Sequence, residues 1–404
     1  MLPATPTSSR RRPSEGLTLL HRLLARLPAG LRNLLKRAPG AVWLRDRLYG
    51  YPTRPPAPPG SLRPVVYLPT WLQWEMMKQR PQYLLEALAS TGHEVWFVDP
   101  RLGRAETVGE RIHLVPSIRS TPRSGVIVYT HFAPNQTLID RYQDAVVIYD
   151  LLDDLAIYEP NETGMPAERT VKHHHRPLVE EADVVIASNP ILGQRHRGER
   201  TDLILVENGV DLARFTPEGP VAESLPRGVI VGFHGAVAPW FDFDLVTSVA
   251  GIRPELEFVV VGPIEPEVED QAQMLGELGN VTLLPAESSD QIARYVRGFT
   301  VGILPFVVDE MTEAVTPLKM YEYLASGVPV VATPLPACDR HPAVATASQP
   351  GEFAARIDDA LGLTPRQRLD LRAHAEPAAW EQRIGPLLNR LEERGQRRVD
   401  HTAS

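Results

Sequence analysis

From residue 64 onward the chain alternates short apolar runs of strand length with longer stretches of helical periodicity. The runs at 65–68, 95–98, 126–129, 146–149, 184–187 and 203–206 are almost wholly apolar, the pattern of strands buried on both faces of a parallel sheet. A second series occupies 229–233, 258–261, 281–284, 301–304 and 328–332. Two βα series of similar size predict an α/β protein with two doubly wound, Rossmann-like domains facing a central cleft. The expected division is a first domain over 64–212, a second over 213–378 and a C-terminal helix and tail over 379–404. In such sheets ligands bind beyond the carboxyl ends of the strands, so the cleft is the expected site.

Residues 1–63 follow another pattern. Leu17, Leu20, Leu24, Leu27, Leu31 and Leu34 recur every three or four positions, with Arg and Lys between them, as in a basic amphipathic helix. Residues 1–64 carry 12 Arg/Lys against 2 Asp/Glu, whereas the chain as a whole has 42 against 50. A stripe of this kind over residues 10–48 suits peripheral contact with an anionic membrane surface; a core-capping extension and an organelle transit segment are the other readings. Pro52, Pro55, Pro56, Pro58, Pro59 and Pro64 make the following stretch a stiff linker.

Composition narrows the function. At 404 residues, 43% hydrophobic, the chain has material for two cores. An acidic body lacks the clustered cations that nucleic-acid affinity requires, so no nucleic-acid partner is expected. No run of about 18 apolar residues occurs to span a bilayer. The single cysteine, Cys338, suits a reducing compartment. The expectation is a cytoplasmic protein, with the inner face of the cell membrane as a peripheral location.

The densest chemistry lies over 313–329. Thr316 is a good N-cap, Pro317 fits the first turn and Gly327 the position after the last. The resulting N-terminus would present free N–H groups and partial positive charge to a diphosphate. Lys319, one of four lysines in the chain, adds a full charge, and Glu322 on the same face suits ribose hydroxyls. A plain surface ion pair between Lys319 and Glu322 is the alternative.

Three blocks resemble GT-B glycosyltransferases of family 4, also called group 1. They are Val206-Glu207-Asn208-Gly209-Val210-Asp211, Tyr321-Glu322-Tyr323-Leu324-Ala325-Ser326-Gly327-Val328-Pro329, and Gly232-Phe233-His234-Gly235-Ala236-Val237-Ala238-Pro239-Trp240. The last, with Gln79-Arg80-Pro81-Gln82, is similar to a branch that includes teichuronic-acid-type transferases. The resemblance implies transfer of a sugar from a nucleotide diphosphate donor to a carbohydrate or lipid-linked acceptor hydroxyl, in polysaccharide or glycoconjugate synthesis of the cell envelope. It further implies retention of configuration and no cofactor or bound metal. By the family's pattern Glu322 holds the ribose, while the place of the first glutamate falls at Ala314, with Glu313 one residue off. The family's diphosphate-clamping Arg and Lys have no counterpart between Gly232 and Ile252, which shifts that task to Lys319, the helix N-terminus and Arg80.

The candidate set is therefore His131, Lys319 and Glu313 for catalysis, and Glu322, Thr316, Pro317, Leu318, Gly235, Trp240, Asp242 and Arg80 for the donor. His131 follows a strand end, where it would touch the transferred sugar or simply pack. Asp150, Asp153 and Asp154 would orient an acceptor hydroxyl, act as a base or cap locally. Asp242-Phe243-Asp244 has the form of a divalent-metal signature, but it opens a helix, where Asp is a common cap. His173-His174-His175 is adjacent rather than convergent on a helix, and surface exposure is expected. Competing functions are a sugar-nucleotide epimerase or hydrolase, a non-catalytic sugar-nucleotide-binding protein, and a lipid-surface scaffold.

Overall fold

A computed structural model of the chain describes residues 62–153 and 166–401. The basic segment over 10–48 and most of the proline-rich linker lie outside the described residues, as does Asp154.

The first sheet has eight strands in the order β3-β4-β2-β1-β5-β6-β7-β8: β1 Val65–Tyr67, β2 Val95–Val98, β3 Glu106–Val108, β4 Ile112–Val115, β5 Ile127–Thr130, β6 Val146–Leu151, β7 Val184–Ala187 and β8 Ile204–Leu205. All pairings are parallel except β3 with β4. The second sheet has six parallel strands, β11-β10-β9-β12-β13-β14, with β9 Ile230–His234, β10 Glu257–Val261, β11 Val281–Leu284, β12 Val301–Leu304, β13 Val330–Ala332 and β14 Val344–Thr346. Val65, Val66 and Tyr67 of β1 and Val231 of β9 are fully buried, as central strands covered by helices on both faces must be.

Three strands had no counterpart in the apolar runs. In β4 the run is broken by His113, which packs on Trp96 at 4.4 Å and meets Glu94 at 2.6 Å, so a polar residue completes a strand near the sheet edge. β3 is largely exposed, and β14 is only half-buried.

The two domains are joined twice. The chain leaves the first at Val210 and returns beside it, where Val210 pairs with Ala379. The returning segment then belongs physically to the first domain: Trp380, Ile384 and Leu387 complete its core. From the Gly385–His401 helix, Arg390 reaches Asp202 at 3.2 Å and Arg394 reaches Asp183 at 2.9 Å. No helix among the described residues is long and apolar enough to cross a membrane.

Candidate active site

In the second sheet the chain builds outward from β9 through β10 to β11, then returns to the other side of β9 as β12. The loops after β9 and β12 thus run in opposite directions and open a crevice at their carboxyl ends. A cavity of about 280 Å³ lies there, lined by His234, Gly235, Ala236, Trp240 and Phe306, with Lys78, Arg80, Tyr83, Asp153, Ser188 and Asn208 facing from the first domain. The loop before the Arg80–Ser90 helix closes one side. Met76 pairs with Ser288, and the Lys78 N–H donates to Ser289 Oγ at 3.1 Å.

One wall is the Leu318–Ala325 helix, entered from Thr316 and Pro317. The helix begins one residue later than the sequence suggests. Pro317 is the N-cap, with no side chain capping the first turn; Met320 N–H bonds Pro317 O at 3.2 Å, which leaves the Leu318 and Lys319 N–H groups without a helical acceptor beside the cavity. Thr316 is not the cap. Its hydroxyl accepts from Asn189 Nδ2 and its carbonyl from Asn208 Nδ2, both at 2.7 Å. The far end is as expected: Gly327 takes φ +71°, and Val328 N–H closes on Tyr323 O at 2.9 Å.

Lys319 and Glu322 both reach the cavity, but not as a surface ion pair. Lys319 Nζ sits over the rings of Phe233 and Phe306, at 5.1 and 5.3 Å. Burial lowers its pKa from 10.5 to about 8, opposed by the Glu322 carboxylate, so the ammonium is largely protonated at neutral pH. Gly235 is required beside it. Its φ is +129°, and a Cβ there would stand 2.7 Å from Lys319 Cε and 2.8 Å from Nζ.

Glu322 is buried and held from both domains. His234 Nε2 lies 3.1 Å from Oε2 without forming a hydrogen bond to it. Tyr83 OH donates to Oε1 at 3.4 Å, and the Tyr83 ring stacks on Trp380 at 5.6 Å. A reading restricted to Arg and Lys passes over His234, the last residue of β9.

Arg80 lines the cavity, but its charge is already matched. The Gln79-Arg80-Pro81-Gln82 stretch is a helix start, with Gln79 and Gln82 forming a reciprocal capping pair and Pro81 in the first turn. This buries Arg80 completely and places its Nε at 2.9 and 3.0 Å from the two Asp150 oxygens. Tyr129 OH also donates to Asp150, at 2.6 Å. Asp150 is thus consumed by a buried pair and is not open to an acceptor. Arg80 Nη2 remains buried without a partner, leaving one donor rather than a free cation for a ligand.

The other candidates stand apart from this cavity. His131 is buried beneath the half-exposed Trp71, its Nδ1 2.8 Å from Tyr67 OH. Burial lowers its pKa to about 4, against the pull of Asp150, so the imidazole is neutral at physiological pH. Glu313 points outward, half-exposed, 4.0 Å from Arg195. Asp242 caps the Phe243–Ile252 helix, accepting from Leu245 N–H at 2.9 Å, and Asp244 is exposed. Among the described residues no three His, Cys, Asp or Glu side chains converge to hold a metal ion. The expected surface position of the histidine run fails for His175, which is buried with Nδ1 2.7 Å from Tyr149 OH. His174 is half-buried against Gln136, and the side chain of His173 lies outside the described residues.

Residues 229–362 match the family described as Glycosyl transferases group 1. Over 258 residues the chain is 28% identical to TuaH of Bacillus subtilis, named for glycosyltransferase action in teichuronic acid biosynthesis. The match takes in 59% of this chain and 64% of that protein, so it spans less than two thirds of the relative's length. Among solved structures, sucrose-phosphate synthase from Thermosynechococcus elongatus superposes with a TM-score of 0.60 at 16% identity, over 85% of this chain and all of that one. HepE of Anabaena, solved in complex with UDP and glucose, gives 0.56 at 12% identity over 81% of this chain and 100% of its own. The described residues thus have the GT-B fold, and residues 229–362 are similar to the group 1 glycosyl transferases.

Proposed function

We propose that the protein is a glycosyltransferase that moves a sugar from a nucleoside diphosphate-sugar to an acceptor hydroxyl with retention of configuration. The observation that carries this reading is the placing of Glu322, Lys319 and an uncapped helix N-terminus around one cavity at the β9/β12 crevice. A carboxylate there accepts hydrogen bonds from ribose hydroxyls, while the N–H groups of the first turn and the Lys319 ammonium meet the diphosphate. As the anomeric C–O bond breaks, the bonding pair leaves with the phosphate oxygen, and the same positive groups stabilise the charge that develops. The acceptor oxygen attacks from the face the diphosphate leaves, and its proton passes to the departing oxygen. Closure of the two domains excludes water that would otherwise take the sugar.

In this reading no resident cofactor takes part, and the diphosphate is met by the chain's own positive groups. His234 packs against Glu322, with Nε2 3.1 Å from Oε2. Glu313, exposed beside Arg195, has no part. The acceptor is taken to be a carbohydrate or a lipid-linked precursor of a cell-surface polysaccharide, a reading supported by what TuaH is named for. The UDP and glucose bound by HepE support the donor class. Proton NMR of the first sugar released from an α-linked donor tests the stereochemistry. The α-anomer is expected first, and the β-anomer would exclude retention.

A further inference from the structure

We propose that Asn189 and Asn208 are positioning residues that hold Thr316 from across the cleft, and so set the N-terminus of the Leu318–Ala325 helix against the diphosphate. This rests on the donor-site reading above.

A helix end that is to receive an anion must stay uncapped, which leaves its position undetermined by its own sequence. Pro317 has no side-chain donor or acceptor, and no side chain caps this helix. The residue before it is instead fixed twice, at the Thr316 hydroxyl by Asn189 and at the Thr316 carbonyl by Asn208, each at 2.7 Å. All three side chains are buried, with exposures of 0, 8 and 5% for Asn189, Asn208 and Thr316, so a lost bond between them carries a desolvation cost.

Each amide is oriented by its other half. Asn189 Oδ1 accepts from Ile191 N–H at 2.7 Å, which turns Nδ2 toward Thr316. Asn208 Oδ1 accepts from Arg80 Nη1 at 3.2 Å, and Arg80 is itself fixed on Asp150. Tyr129, Asp150, Arg80, Asn208 and the Thr316 carbonyl therefore form one buried polar chain that runs from the first domain's sheet to the donor helix. Reversing Asn208 would face its oxygen to the Thr316 carbonyl and its N–H groups to Arg80, and reversing Asn189 would set its N–H groups against the Ile191 N–H, so the arrangement has a single register.

The test uses the full chain with inorganic pyrophosphate as the probe, titrated calorimetrically, alongside unfolding midpoints. Asn208→Asp keeps the acceptor for Arg80 and loses the donor to Thr316. It is expected to weaken pyrophosphate binding about tenfold in a protein that still folds cooperatively. Thr316→Val is expected to do the same, and Thr316→Ser to restore binding. Combining Asn189→Ala with Thr316→Val should cost no more affinity than the worse single change. Folded Asn208→Asp and Thr316→Val proteins that bind pyrophosphate like the wild type would overturn the proposal, as would strict additivity of the pair. A wild type indifferent to pyrophosphate would count against the donor reading itself. The Asn189–Thr316 coupling is then read from the unfolding midpoints, where additivity would overturn the positioning claim separately.

Discussion

His234 Nε2 lies 3.1 Å from Glu322 Oε2, joining the end of β9 to the middle of the Leu318–Ala325 helix. Both side chains are buried, so the pair orients a cavity carboxylate at the crevice that the strand order creates. His234→Phe preserves the edge contact with Tyr323 but removes the imidazole nitrogen beside Glu322. The expected outcome is lower stability in urea unfolding, with weaker donor binding in the folded protein. Unchanged stability and unchanged affinity would show that the contact is incidental.

Lys319 supplies a pH signature. Its pKa is lowered by burial to about 8, so anion affinity should be level below pH 8 and fall above it, by up to about tenfold per pH unit for a single proton. Stability runs the opposite way. Between pH 8 and 10.5 the unfolded chain holds a proton at Lys319 that the folded chain has released, so this residue's contribution rises with pH across that window. Lys319→Met should flatten both profiles and reduce diphosphate affinity at pH 7. A titration by calorimetry from pH 6.5 to 9.5 reads the first, and one in which the wild type and the variant share a slope would remove Lys319 from the account.

Asp242 separates a cap from a metal ligand. It accepts from Leu245 N–H at 2.9 Å, and Asp242→Ala should cost about 1 kcal/mol of stability while donor affinity stays unchanged in buffer with EDTA and in buffer with Mg²⁺. A variant of normal stability whose donor binding became dependent on divalent ions would contradict the capping role.

Much of the fold was legible because central parallel strands must be apolar on both faces. The expected runs at 95–98, 184–187, 281–284 and 301–304 coincide with β2, β7, β11 and β12. The missed strands lie toward sheet edges, where this requirement lapses and a residue such as His113 is tolerated. At the site, Lys319, Glu322, Gly235, Trp240 and Arg80 do line one cavity. What was not legible is pairing between residues distant in the chain: Arg80 is spent on Asp150 across 70 positions, and Thr316 is claimed by Asn189 across 127. No local spacing encodes such partners. The N-cap expectation at Thr316 failed for that reason, since an equally good local role lost to two amides from the facing domain. The Gln79–Gln82 stretch, given above only as part of the resemblance, is the start of a helix that buries Arg80.

The central claim is that the cavity bounded by Glu322 and the Leu318–Ala325 helix receives a nucleoside diphosphate-sugar. A thermal-shift screen of UDP-, ADP-, GDP- and dTDP-sugars against the wild type and Glu322→Ala tests it most directly. At least one nucleotide class should raise the wild-type midpoint by several degrees at a hundredfold excess over Kd, a stabilisation of about 2.7 kcal/mol, and the shift should disappear in Glu322→Ala. A wild type indifferent to every donor, or a Glu322→Ala protein that responds equally, would contradict it.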